Sequence, residues 1–300
     1  MVTVGSIIGG TFRFVMANLR SIAVWAGINL LLGIVMRLGM APFYQAQAAA
    51  ITARAQGLPP TTPPFGSFFL VMLAMMLILL VLYNAVFRAV LFPEDRGFAY
   101  LRVGMDELRL LGLMVVLTVA YFLFSFLLGL VIGVLGAILT LSMGAGRGAM
   151  PVIFLLLALV VFIPFIFVAI RLSVVGPLTL WRREIVIGPA WRLTKGRFWT
   201  LFGAYFVVWL VLLIAMLVVM LPMMAPMFAA MGTAMSQPGN PEAAQRMAEA
   251  QMAMMQLSLT PFGILWLIVS SLFGGVLVAI FGGLPAVATA QLLDEQAGRL

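Results

Sequence analysis

The chain has 300 residues, of which 64% are hydrophobic and 9% charged, and its mean hydropathy is +1.20. Soluble domains carry about a quarter charged residues, so this composition excludes a soluble globule and predicts that apolar surface faces lipid. The net charge of +8 indicates membrane topology and attraction to anionic headgroups rather than nucleic-acid binding. Cysteine and histidine are absent, which removes thiol chemistry and the commonest general base and metal ligand.

The N-terminal residues 7–20 predict an interfacial helix. Arg13 and Arg20 interrupt its apolar pattern and are expected to reach lipid headgroups. Its apolar side chains are expected to lie in the boundary of the bilayer, and they are Ile7, Ile8, Phe14, Val15 and Leu19.

Six apolar runs are long enough to cross a hydrocarbon core, which takes roughly 20 helical residues. The predicted spans are 21–40, 66–87, 110–135, 152–170, 200–221 and 262–290. The third run continues uncharged to Leu141, which predicts a tilted helix or a break at its glycines. We therefore expect one all-α integral membrane domain over residues 1–300, with six transmembrane helices and interfacial helices.

Prolines and caps predict where several helices begin and end. Gly176-Pro177 is expected to break the helix after the fourth span, and Pro222 to end the fifth. The segment 223–260 predicts two short extracytoplasmic helices around a turn at 237–241. Thr260-Pro261 carries the cap and first-turn proline that open the sixth span.

The basic residues predict the orientation. Six spans place both termini on one side, and thirteen of the seventeen basic residues fall on that side. The remaining four are Arg37, Arg54, Arg147 and Arg246. Because cytoplasmic loops carry the excess of Lys and Arg, both termini are expected in the cytoplasm.

A short basic motif precedes each odd-numbered span. Arg13, Arg102 and Arg192 each lie between two apolar residues and are spaced by 89 and 90 residues. This spacing is typical of three parallel repeats of an interfacial helix and a two-span hairpin. The alternative is that any interfacial helix entering a membrane from the cytoplasm has this pattern.

Few side chains suit catalysis or metal binding. No acidic residue falls inside a predicted span, and the adjacent carboxylates Glu94-Asp95 and Asp106-Glu107 are expected to form solvated pairs with nearby arginines. A run of methionines from Met220 to Met235 at four-residue spacing suits either an adaptable apolar face or an extracytoplasmic Cu(I) site. We expect no catalytic residue, no cofactor and no bound metal.

Glycine and proline in the sixth span suggest a second interpretation. Gly274-Gly275, Gly282-Gly283 and Pro285 are typical of helices that line a transport path. Ordinary close helix packing explains the same residues. No charged residue is predicted at mid-membrane, so a path for a lipid-like or amphipathic solute suits the sequence better than an ion path.

The segment from Arg171 to Arg197 carries a family resemblance. An Arg at the end of the fourth span, Gly176-Pro177, Glu184, and GPAWRLTKGRFWTLFG entering the fifth span resemble the membrane domain associated with bacterial glycerophosphoryl diester phosphodiesterases, and GTFRFVMANLR near the N-terminus fits as well. The resemblance implies a free-standing membrane domain of a bacterial inner-membrane protein. It implies no diesterase activity, because the catalytic His and Glu of the fused barrel have no counterpart in a chain without histidine.

These observations predict a non-enzymatic membrane scaffold or lipid-interacting component whose partners are phospholipids and possibly a membrane protein or a second copy. The alternatives are a small transporter or channel for an amphipathic solute, and a membrane-embedded lipid-modifying enzyme using the carboxylates at 94–95 and 106–107. Eight residues are candidate headgroup or partner contacts: Arg13, Arg102, Arg171, Arg182, Arg183, Arg192, Lys195 and Arg197.

Overall fold

The computed structural model describes residues 1–55, 57–59, 65–95, 97–143, 162–236, 246, 249–250 and 260–298. Within these ranges the chain is all-α, as the sequence predicts, and contains no strand. Six helices are long and apolar enough to cross a membrane. In chain order the helices are α1 (Val4–Ala17), α2 (Leu19–Ala55), α3 (Phe65–Leu91), α4 (Met105–Met143), α5 (162–172), α6 (Val175–Arg182), α7 (Ile187–Leu193), α8 (Phe198–Ser236) and α9 (Pro261–Gln296).

Several helices extend beyond their predicted ends. The helix α2 continues through Pro42 to Ala55, and α4 runs unbroken past its glycines to Met143. The predicted end of the fifth span at Leu221 agrees with the spanning stretch Phe198–Leu221, but Pro222 does not end the helix, because α8 continues through it to Ser236. Apolar surroundings favour continued helix, since every backbone group left unpaired in lipid costs several kcal/mol. The predicted turn at 237–241 and the start of the fourth span, 152–161, lie outside the described residues.

Two predicted helix boundaries are present. Thr260 caps α9, since its side chain accepts a hydrogen bond from the backbone N–H of Gly263, and Pro261 occupies the first turn. The chain also breaks after the fourth span, but at residues 173–174. Pro177 lies in the first turn of α6, where a missing N–H costs no hydrogen bond, so the proline starts a helix rather than ending one.

The centre of the bundle is the C-terminal half of α9. All residues from 282 to 289 are buried, and α9 packs against α1, α2, α3, α6 and α8. Glycines bring its neighbours close: a Cβ placed on Gly275 lies 2.9 Å from the backbone N of Ala26, and one on Gly283 lies 3.1 Å from the ring of Phe14. These glycines therefore serve close packing of a helix that continues through Pro285.

The first helix is docked on the bundle. Ile7, Phe14 and Val15 are buried in the core, which corrects the expectation that they lie in the bilayer boundary. Gly283 leaves room for Phe14, and Ser6 and Gln291 exchange two hydrogen bonds of 2.9 Å between α1 and α9. Only one side of α1, including the exposed Phe12 and Arg13, faces outward.

The three basic motifs do not share one structure. Those at Arg13 and Arg192 lie on the helices α1 and α7, of fourteen and seven residues. The motif at Arg102 follows a 3₁₀ turn at Phe98–Tyr100 and begins with the extended Leu101. The interfacial helix expected in the second repeat is therefore absent, and the threefold repeat stays a prediction.

Substituting Gly275 tests the central packing. Gly275→Ala is expected to lower the unfolding free energy by about 1–3 kcal/mol, because the new methyl group meets the backbone of Ala26 and forces α2 and α9 apart. Denaturation in detergent micelles, by heat or by SDS, measures this.

The matched control is the neighbouring Gly274→Ala. Its Cβ would lie 3.6 Å from the Asn29 side chain, an ordinary contact, so stability should change little. Equal stability of the two variants would contradict this packing.

Candidate functional site at the basic end

One end of the bundle gathers most of the charged residues. We call this the basic end: α1, the connector 92–104 between α3 and α4, the helices α6 and α7, and the helix ends beside them. Contacts distant in sequence hold it together, including Trp25 Nε1–H donating to the Ala99 carbonyl at 3.1 Å and the Arg197–Glu295 ion pair.

A buried ion pair joins α3 to α4 at this end. Arg88 Nη2 donates to Glu107 Oε1 at 2.6 Å, and both side chains are at most 7% exposed. Asn84 Nδ2 donates to the same carboxylate oxygen at 2.8 Å, and Asp106 lies 3.6 Å from Arg88. A buried ion needs this many partners, because removing a charge from water costs several kcal/mol. The cluster fixes the angle at which α4 leaves the connector.

The expectation that the carboxylates at 106–107 form solvated pairs is wrong for Glu107, which is buried. The sequence held one signal for this cluster. Asn84 and Arg88 are four residues apart at the end of an apolar helix, so both side chains lie on one face. Nothing in the sequence, however, indicated that Glu107 would lie opposite that face.

The connector itself has an unusual backbone. Ala99 and Tyr100 have φ angles of 49° and 60°, a left-handed conformation that residues other than glycine seldom adopt. Each carbonyl accepts a hydrogen bond from a buried side chain: Ala99 from Trp25, and Tyr100 from Arg88 at 3.4 Å. The same Arg88 therefore balances Glu107 and holds the connector, which couples the ion pair to the surface of the basic end.

The segment from Arg171 to Arg197 forms a second rigid unit. The Arg171 guanidinium lies over the Trp191 ring, 3.9 Å from its centroid, and donates to the Trp191 carbonyl. The buried Thr194 hydroxyl lies 3.1 Å from the Ala190 carbonyl and 3.2 Å from that of Arg171. These contacts tie α5 to the end of α7, so Arg171 acts within the protein.

The eight predicted contact residues divide into two groups. Three have partners within the chain: Arg171 on Trp191, Arg102 with Asp95 at 2.9 Å, and Arg197 with Glu295. The other five are exposed, and no described carboxylate lies within ion-pair distance of them. They are Arg13, Arg182, Arg183, Arg192 and Lys195.

Arg20, which the sequence also predicts to reach lipid headgroups, is a sixth cation of this kind. It is exposed at the start of α2 and lacks a carboxylate partner among the described residues. Together these six cations give the basic end a positive surface that the described part of the chain does not neutralise.

A cavity of about 650 Å³ lies between α3, α4 and the α5–α6 break. Its wall is almost entirely apolar and includes Met72, Met75, Met76 and Met114. Among the described residues of the wall, hydroxyl groups are carried by Tyr83, Thr118, Tyr121 and Ser173, and none of these wall residues is charged. Flexible methionines adapt to irregular apolar ligands, so the cavity suits a hydrocarbon chain better than an ion.

The structure also bears on metal binding. No group of three His, Cys, Asp or Glu residues that could hold a metal occurs within the described ranges. Of the methionine run, Met224 and Met227 are half-buried and Met231 is exposed on α8, while the later methionines from 247 on lie outside the described residues. The Cu(I) interpretation stays a prediction.

Comparison with family models, with curated proteins and with solved structures finds no match to this chain.

The buried ion pair gives a prediction with an internal control. Glu107→Gln keeps the size of the side chain and one of the two acceptor oxygens that serve Asn84 and the Gly104 N–H, but it leaves Arg88 without its main counter-charge. Because an uncompensated buried charge is costly, we expect a loss of about 3 kcal/mol in unfolding free energy.

The exposed pair Asp95–Arg102 supplies the comparison. Both side chains are about half exposed, so Asp95→Asn should cost less than about 1 kcal/mol. Thermal unfolding of both variants in the same detergent gives the difference, and equal losses would contradict the buried role of Glu107.

Proposed function

We propose that the chain is a non-enzymatic, multi-pass protein of a bacterial inner membrane that binds anionic phospholipids at its basic end. In this proposal both termini and the basic end lie in the cytoplasm. The chain belongs in this proposal to the membrane-domain family that it resembles, and it serves as a lipid-interacting component or scaffold.

The observation that carries the proposal is the set of six exposed cations without carboxylate partners among the described residues. They lie on α1, at the start of α2, and between the end of α6 and the start of α8. These positions are beside the ends of helices long enough to span a membrane, where lipid phosphates occur. Cytoplasmic leaflets are negatively charged, and each Lys or Arg near such a surface contributes about 1 kcal/mol of attraction. A surface of this kind favours anionic over zwitterionic lipid without needing a catalytic group.

The rigid supports of the basic end agree with this proposal. Arg88 and Arg171 are held by contacts inside the protein, so they stabilise the surface rather than contact lipid. The apolar cavity below supplies a place for hydrocarbon. Two carboxylates that could act in catalysis form ion pairs instead, Glu107 with Arg88 and Asp106 with Arg109.

A transport function for an amphipathic solute is the second candidate. The four hydroxyl-bearing residues in the wall of the 650 Å³ cavity favour it, since they offer hydrogen bonds within an apolar space. Solute flux into vesicles containing the purified protein distinguishes transport from lipid binding alone.

The orientation is testable with single cysteines, because the natural chain has none. Glu184→Cys places a thiol at the basic end, and Leu58→Cys places one between α2 and α3, and both positions are exposed. In intact cells an impermeant maleimide should label Leu58→Cys and leave Glu184→Cys unlabelled until the membrane is opened. External labelling of Glu184→Cys in intact cells would contradict the proposed orientation.

The lipid preference is testable by native mass spectrometry of the purified protein. We expect phosphatidylglycerol to be retained in preference to phosphatidylcholine, and the preference to fall in a variant with Arg182→Gln, Arg183→Gln, Arg192→Gln and Lys195→Gln. The matched control carries Arg37→Gln, Arg54→Gln, Arg147→Gln and Arg246→Gln, which remove the same charge from the opposite side. An equal fall in the two variants would contradict a role for the basic end.

A further inference from the structure

A polar pocket of about 560 Å³ opens at the basic end between the α1–α2 junction and the α3–α4 connector. Residues 16–21 form one wall, and Gly97, Ala99 and Tyr100 form the other. Asn18, Arg20 and Ser21 contribute polar side chains to the first wall. None of the described residues that line the pocket is acidic, so the charge of Arg20 has no counter-charge among them and can attract an anion.

An apolar cleft of about 350 Å³ lies between α2 and α3. It is lined only by aliphatic side chains: Ile28, Leu77, Ile78, Val81, Leu82 and Leu101. Leu77 is 40% exposed at this cleft, which indicates that the cleft opens toward the surrounding lipid.

The pocket and the cleft are neighbours along α2. Ser21 of the pocket and Ile28 of the cleft are seven residues apart, so they lie on the same helical face about 10 Å apart along the axis. On the other wall Tyr100 lines the pocket and the next residue, Leu101, lines the cleft. Trp25 lies between them on α2, where its hydrogen bond to Ala99 holds the connector against the helix.

We propose that the pocket and the cleft together bind one anionic phospholipid. Its phosphate lies at Arg20 and Ser21 and one acyl chain lies between α2 and α3. The site has a cation near the membrane surface and an aliphatic cleft about two helical turns deeper. An anionic phospholipid has the same arrangement, with its phosphate at the surface and its acyl chains deeper. This inference rests on the proposed function and adds to it a defined site away from the arginines of α6 and α7.

The test is a titration of the full-length protein with phosphatidylglycerol, followed by native mass spectrometry. Arg20→Gln is expected to weaken the tightest phosphatidylglycerol site about tenfold, which corresponds to about 1.4 kcal/mol. Arg37→Gln is the control, because it removes the same charge from the same helix α2, and Arg37 lies seventeen residues beyond Arg20 and does not line the pocket. It should weaken this site less than twofold.

A second variant tests the cleft. Leu77→Trp fills the space meant for the acyl chain and should weaken the same site, whereas Leu73→Trp should not. Leu73 lies one turn away on α3, is 39% exposed and does not line the cleft. Both positions face outward, so the folded state should tolerate either side chain.

The outcomes separate the site from the wider function. Equal binding by Arg20→Gln and Arg37→Gln, in a protein that still prefers phosphatidylglycerol, would overturn the site and leave the proposed function standing. No preference in the natural protein would overturn both. Displacement of the lipid by glycerol phosphate at equal concentration would assign the pocket to small anions and overturn the lipid assignment.

Discussion

The close approach of α9 to its neighbours is the constraint on which the rest of the structure depends. Lipid tails are as apolar as leucine, so helices in a membrane associate mainly through tight packing and polar contacts. Gly275, Gly282 and Gly283 supply the packing, since they bring α9 against α2, α3 and α1. With α9 central, its C-terminal turns hold Gln291 and Glu295 at the basic end, where they bind Ser6 of α1 and Arg197 at the start of α8.

The buried pair of Arg88 and Glu107 links the packed helices to the surface of the basic end. Arg88 contacts both the carboxylate on α4 and the Tyr100 carbonyl of the connector, while Trp25 holds the adjacent Ala99. The connector therefore keeps a left-handed backbone and forms one wall of the polar pocket. Interior charges and aromatic groups thus provide the rigid support, and the exposed cations stay available to lipid.

The sequence predicted the spans because their signal is local. A run of about 20 apolar residues identifies a span whatever other helices pack against it. It predicted the start of α9 for the same reason, since the cap at Thr260 and Pro261 acts within one turn. The helix was expected to end at Pro222, because proline usually breaks helices that are exposed to water. It continues, because a helix with apolar surroundings retains its backbone hydrogen bonds on either side of a proline. The burial of Glu107 was missed because its partners are 19 and 23 residues away, and only the packing of α4 on α3 decides which charges leave water.

The central claim is that the basic end binds anionic lipid headgroups. Its most direct test is the thermal unfolding midpoint of the purified protein in zwitterionic micelles, measured as anionic or zwitterionic lipid is added at low and high salt. Binding to the folded state raises the midpoint, and salt screens exposed charges, so we predict a rise with anionic lipid that shrinks at high salt. Equal midpoints with the two lipids at low salt would contradict the account.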